Sequence, residues 1–272
     1  MRLASIDLGQ EFVRGALFVL TLTLGASASA GNQNGGPLEE QLRMLNSKRI
    51  FFGHHSVGDN ILDGLRELGN EAGVPVRILE LAQREGGPGV LHARVGENTK
   101  PLSKIDGFEH AMGSEQALNL EIAFFKFCYI DFDANTDVDA VFTRYVQMHE
   151  KVSLLHPGTR WVHVTVPLTV TQVGLKGYVK NLLGRAASGE LENVKRHRFN
   201  ELLRARFGRK EPIFDLARVE ATREDGTLES FERDGRSYPR LVPEYSYDGE
   251  HLNEKGRQRA ARALIELLAS IP

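Results

Sequence analysis

Apolar residues in this chain fall into short runs that alternate with stretches of helical spacing. Residues 49–53, Arg-Ile-Phe-Phe-Gly, form one such run, and Ile61, Leu62, Leu65 and Leu68 then recur three and four apart. The first predicts a buried strand, the second an amphipathic helix that stops near Gly69 or Gly73. Further strands are predicted at 76–81, 122–132, 161–166 and 212–216. Helical patterns occupy 38–46, 137–156 (ended by Pro157-Gly158) and 190–207. A closing helix, capped by Asn253, carries Ala261, Leu264, Ile265 and Leu268 on one face. Residues 83–117 and 218–247 read as long polar loops, the latter with Tyr238, Tyr245 and Tyr247, while 168–189 is ambiguous. Loops of this length in a compact domain are usually functional or mobile. Strands alternating with helices predict an α/β fold whose mostly parallel sheet, of about five strands, is covered on both faces. In such sheets the site lies beyond the carboxyl ends of the strands.

Composition narrows the class. With 272 residues, 41% hydrophobic, the chain can bury one sizeable α/β core and is short for two. A formal net charge of -2 gives no electrostatic reason to expect nucleic acid or an anionic membrane as partner. Lys195, Arg196, His197 and Arg198 read as a solvated helix face. Arg2 and Arg14, the apolar run 16–24 and Ala26-Ser-Ala-Ser-Ala30 are the parts of a secretory signal. Residues 1–30 are therefore expected to be a signal peptide, 31–46 a leader and short helix, and 47–272 a single domain, periplasmic or secreted. The apolar run is too short to span a bilayer comfortably, so no stable membrane insertion is expected after cleavage. Asp7 and Glu11 are untidy in such a segment and leave an uncleaved anchor as the alternative. The single cysteine, Cys128, excludes an intrachain disulfide and reads as a buried, inert thiol.

Candidate chemistry concentrates at two places. In Phe51-Phe-Gly-His-His-Ser-Val-Gly-Asp-Asn60, Ser56 lies at the predicted strand-to-helix turn, where unpaired backbone N–H groups and the helix dipole stabilise developing negative charge. Ser56 is the candidate nucleophile; a plain helix cap is the alternative. Near the other end, Tyr247-Asp-Gly-Glu-His-Leu-Asn253 sets Asp248 and His251 three apart before a helix start. A serine nucleophile needs a neutral imidazole as base and a carboxylate to orient it. A metal site drawn from His54, His55, His163 or His251 with Asp248 is the rival chemistry, but no His-x-x-x-His pair supports it.

The pairing of Gly53-His-His-Ser56-Val-Gly58 with Asp248-Gly-Glu-His251-Leu-Asn-Glu-Lys-Gly256 resembles the SGNH (GDSL-like) hydrolases. The resemblance implies a three-layer α/β/α fold of flavodoxin-like kind and a serine esterase that uses no cofactor and no metal. It implies Ser56 as nucleophile, His251 as base, Asp248 as orienting acid, and the N–H groups of Ser56 and Gly96 as oxyanion hole. The third block departs from the family: Phe127-Cys-Tyr-Ile-Asp131 lacks the expected asparagine donor. Asn98 is the preferred substitute, ahead of Lys126 and Tyr129. The substrate expected from the resemblance, export and the tyrosines is a small-molecule or polysaccharide ester, with O-acetyl groups on a glycan as the specific case. His55, Lys126, Tyr129 and Tyr247 are candidate substrate contacts. The alternative is a glycan-binding protein on the same fold with a weakened oxyanion hole.

Overall fold

A computed structural model of the chain describes residues 36–82, 87–171 and 188–272. The signal peptide expected at 1–30 and most of the ambiguous 168–189 stretch lie outside the described residues. Gly35–Pro272 forms one compact unit.

Strand β1 (Arg49–His54) is the middle of a five-stranded, wholly parallel sheet ordered β2-β3-β1-β4-β5. Its companions are β2 (Ile78–Glu80), β3 (Gly89–Arg94), β4 (Ile122–Phe125) and β5 (Arg160–Trp161). A second parallel pair, β6 (His163–Val164) and β7 (Ile213–Phe214), follows. The period-two alternation of β1 explains the layers. Ile50 and Phe52, with Ile122 and Phe124, enter one core; Phe51, with Ala123 and Phe125, enters another. The first is closed by helices α1 (Pro37–Ser47), α2 (Val57–Glu71) and, at the end of the chain, α7 (Glu254–Ser270). The second is closed by α3 (Pro101–Met112), α4 (Val138–Leu155) and α5 (Glu190–Phe207). A three-layer α/β/α sandwich results.

Asp137 caps α4 through the amide of Ala140, and Asn253 caps α7 through that of Gly256. Cys128 is fully buried.

Three sequence expectations are corrected. The 83–117 stretch is not a loop. It supplies β3, next to the centre of the sheet, and α3, which Pro101 opens and whose buried face is Ile105, Phe108 and Met112. The 218–247 stretch holds the end of α6 (Leu216–Ala221) and a hairpin of β8 (Ser230–Arg233) and β9 (Arg236–Pro239). The hairpin turns on Asp234 and Gly235, both at positive φ (50° and 72°), the geometry for which Asp-Gly pairs are preferred. Finally, Arg196 is buried, not solvated. Its guanidinium donates to the carbonyl of Tyr129 (2.9 Å), to Thr169 Oγ1 (2.8 Å) and to Asn193 Oδ1 (2.7 Å). Burial lowers its pKa to about 10, which leaves it charged at neutral pH. Asn193 and Asn200 on the same face exchange two hydrogen bonds each with the backbone of Thr169 and Val166. Polar side chains on α5 thus satisfy a buried segment that pairs with no strand there among the described residues.

The same region carries an acid whose proton is coupled to folding. Glu220 is buried; Oε2 accepts from the Leu168 amide at 2.7 Å, and Oε1 has no partner among the described residues. Burial raises its pKa from 4.5 to about 8, against the opposing pull of the Leu168 amide, Lys126 and Arg196. The folded state thus retains a proton that the unfolded chain releases. The stabilisation is full below about pH 4.5 and is lost as pH rises toward 8. Glu220→Gln should fold and should flatten the fall in melting temperature across that window. An unchanged slope in the variant would assign the effect to other groups.

Candidate active site

Ser56, the Val95-Gly96 turn and the 126–131 segment follow β1, β3 and β4, three adjacent parallel strands, so the sheet delivers them to one edge. The chain moves from one side of β1 to the other between β3 and β4, the switch point where open α/β sheets form crevices.

Ser56 stands at the N-cap position of α2 but makes no side-chain capping bond. Its φ is 51° and ψ -103°, unusual for a residue with a side chain and costing roughly 1–3 kcal/mol. Its Oγ is buried without a hydrogen-bond partner among the described residues. A cap would accept a backbone N–H; this hydroxyl is held away from that role. The turn is fixed from below by His54, which is fully buried, with Nε2 3.1 Å from His92 Nδ1. Burial, aided by the charge of Lys126 and by neighbouring imidazoles, pushes the His54 pKa down to about 2, so this ring is neutral. A Cβ on Gly58 would lie 2.4 Å from the Cβ of His54, so only glycine fits there.

His55 faces the neighbouring turn. Its Nε2 lies 3.1 Å from the Val95 carbonyl and 3.0 Å from that of Gly96; because both are acceptors, this nitrogen carries the proton. Burial and the Lys104 charge lower its pKa. Gly96, at φ 64°, packs so closely on α3 that a Cβ would meet the Ser103 carbonyl oxygen at 2.4 Å. Asn98 is exposed, and its Oδ1 accepts from Lys104 Nζ at 2.7 Å.

Lys104, Lys126, Cys128 and Asp131 form a buried polar group under these turns. Asp131 Oδ2 accepts from the Cys128 amide (2.6 Å) and pairs with Lys104 (3.3 Å), while Oδ1 accepts from the Thr99 amide (2.9 Å). It ties the segment after β4 to the one after β3. Lys126 Nζ donates to the Phe127 carbonyl at 3.2 Å, and its side chain is fully buried.

Asp248 and His251 meet directly. Asp248 Oδ2 lies 2.7 Å from His251 Nδ1, while Oδ1 accepts from the amides of His251 (2.7 Å) and Glu250 (2.9 Å). Burial alone would raise the Asp248 pKa, but bonds from the His251 amide and ring and the Glu250 amide outweigh it and hold it at about 2. The carboxylate therefore stays ionised across the working range. His251 Nε2 points to the Tyr129 hydroxyl at 3.4 Å, and that hydroxyl donates to Glu250 Oε2 at 2.8 Å. Burial and Glu250 raise the Tyr129 pKa, keeping the phenol protonated. Tyr247, 68% exposed, stacks over the His251 ring at 6.0 Å between centroids, inclined by 12°.

Asn60 joins the two halves: its amide bonds the Ser56 carbonyl (3.3 Å), and its Oδ1 accepts from the Leu252 amide (3.2 Å). Reasoning from sequence missed Asn60, Glu250, Lys104 and the role of Asp131. Asp131 was visible as a lone acid in an apolar run; Asn60 carries no signal beyond lying one turn past Ser56. His163, offered as a ligand beside His251, instead bonds Tyr145 and Glu211.

The architecture is shared with known structures. A GDSL-like lipase from Bacteroides thetaiotaomicron aligns over 82% of this chain and 88% of its own, with TM-score 0.51 and 12% identity. A lipase/acylhydrolase from Enterococcus faecalis (TM-score 0.46, 11% identity, 82% of this chain and 95% of its own) is also similar. So is a carbohydrate esterase family 3 protein from Talaromyces cellulolyticus (TM-score 0.45, 13% identity, 82% and 99%). No family model matches the chain, and no curated protein matches it. The first likeness shows the fold.

Proposed function

We propose that this chain, which carries a divergent SGNH-hydrolase fold, is an exported serine esterase that removes acyl groups, O-acetyl in particular, from a glycan or a small-molecule ester. One observation carries the reading: the strained Ser56, its Oγ buried and unpartnered, stands at the head of α2 one turn from Asn60, which holds the loop bearing the Asp248–His251 pair. In the reaction His251 Nε2 takes the Ser56 proton as Oγ attacks the ester carbonyl. Asp248 holds the ring with its proton on Nδ1 and stabilises the imidazolium. The amides of Ser56 and Gly96 and the Asn98 side chain, oriented by Lys104, receive the oxyanion. His251 then protonates the leaving alcohol, and water, deprotonated by the same imidazole, releases the acid. Catalytic hydrogen bonds often tighten only around bound substrate, which accounts for an Oγ without its base partner. The exposed face of Tyr247 beside His251 supports a glycan, since aromatic rings stack on sugars.

The test is the intact mass of the protein after exposure to a fluorophosphonate. One adduct on the wild type and none on Ser56→Ala is expected. No adduct on either would favour a glycan-binding protein on this fold, a reading supported by the absent third-block asparagine and by the unformed Ser56–His251 bond.

A further inference from the structure

Away from this edge of the sheet, three side chains of metal-ligand type converge. We propose that His149, His163 and Glu211 bind a single divalent transition-metal ion of the zinc class, which ties α4 to the β6–β7 pair.

The three come from different elements: His149 from α4, His163 from the first residue of β6, and Glu211 from the turn after α5 that leads into β7. Glu211 Oε2 lies 2.9 Å from His149 Nε2 and 3.0 Å from His163 Nε2, and all three atoms lie within 4.8 Å of one another. Around a tetrahedral zinc, with bonds of about 2.0–2.2 Å, neighbouring ligand atoms stand roughly 3.3 Å apart. Two of the spacings are therefore within a few tenths of an ångström of the requirement, and small side-chain rotations would open room for the ion. Among the described residues this is the one group of three that could share a metal.

The surroundings match what ligating histidines need. The Tyr145 hydroxyl sits 2.7 Å from His163 Nδ1, fully buried on its far side, and can accept the Nδ1 proton so that Nε2 presents its lone pair. Phe207 stacks on the His163 ring at 3.7 Å, and Trp161 packs edge-on to His149 at 6.0 Å, fixing both imidazoles. The small cavity beside His149 and His163 is lined mainly by apolar side chains such as Phe108 and Phe125 and does not border Glu211, so the fourth ligand is water entering past Glu211. Glu211 is 27% exposed on its side chain, so an ion has a route in from solvent. Two imidazoles and one carboxylate suit zinc, cobalt or nickel and disfavour calcium or magnesium, which prefer oxygen shells. With all three protein ligands contributed by separate elements, the ion would act as a cross-link.

The residues share nothing with Ser56, Asp248 and His251, so this site stands or falls independently of the esterase. The test uses the untagged full chain, stripped with a chelator and titrated with Co2+. Trp161 is the only tryptophan, and its distance from His149 makes its fluorescence a local reporter. Expected are the visible absorption of four-coordinate Co2+, quenching of Trp161 that saturates at one ion per chain, and reversal of both by Zn2+. Glu211→Gln and His149→Gln, whose folding is checked by circular dichroism, should each weaken Co2+ binding by at least about tenfold. Absent absorption bands, quenching that does not saturate on the wild type, or variants that bind as tightly as the wild type would each overturn the site.

Discussion

Replacing Ser56 with alanine is expected to lower the turnover of an activated acetyl ester by roughly 10³–10⁶-fold while leaving the melting temperature nearly unchanged. The two halves of the expectation have different origins. Ser56 Oγ makes no hydrogen bond among the described residues, so its removal takes no partner from them, and alanine suffers the same φ of 51° that serine does. A capping serine behaves oppositely, since its loss costs about 0.5–2 kcal/mol of stability. His251→Ala should lower turnover by a similar factor. The double variant should cost little more than either single one, because nucleophile and base work as a unit. The measurement is steady-state hydrolysis beside thermal melting for all three proteins. Retention of more than about a tenth of the activity by Ser56→Ala, or additive losses in the double variant, would sink the triad.

How far the fold could be read in advance depended on where polar residues fell. β1 and α2 were legible because Ile50, Phe51 and Phe52 precede a switch to helical spacing, and the close of the chain was legible through Asn253 and the apolar face of α7. β3 was missed because Val90 and Leu91 are its only large apolar residues and polar His92 follows, although the strand lies beside the centre of the sheet. α3 had a signal that was passed over: Ile105, Phe108 and Met112 keep helical spacing behind Pro101. So did the β8–β9 hairpin, in Asp234-Gly235. The buried face of α5 was legible by hydropathy only in its second half, at Phe199, Leu203 and Phe207. Glu190, Asn193, Arg196 and Asn200 lie on it, and what they satisfy is backbone and side-chain partners elsewhere in the sequence. At the site, the Asp-x-x-His spacing was sufficient to place Asp248 against His251, because the pair closes within one short loop. The contacts that hold this loop to Ser56, through Asn60 and Leu252, span 192 positions and no local pattern encodes them.

Asp248→Asn separates the two tasks of this carboxylate and is expected to lower kcat by about 10³–10⁴-fold with little loss of stability. Oδ1 organises the loop by accepting the amides of His251 and Glu250, and an asparagine oxygen can accept both. Oδ2 faces His251 Nδ1 at 2.7 Å, and there the amide would present a donor in place of an acceptor. The ring must then offer a lone pair at Nδ1, which places its proton on Nε2, the nitrogen that in the proposed reaction accepts the proton of Ser56. Geometry survives and basicity at the working nitrogen is lost. Exposure of the pair keeps its contribution to stability within about 1 kcal/mol, so a melting curve close to wild type is expected. Asp248→Ala, which removes Oδ1 as well, should reduce turnover and also loosen the loop, seen as faster amide exchange at Glu250 and His251. If Asp248→Asn retained near wild-type kcat while Asp248→Ala lost it, Asp248 would be a loop brace only, and the proton on His251 would be set by another group.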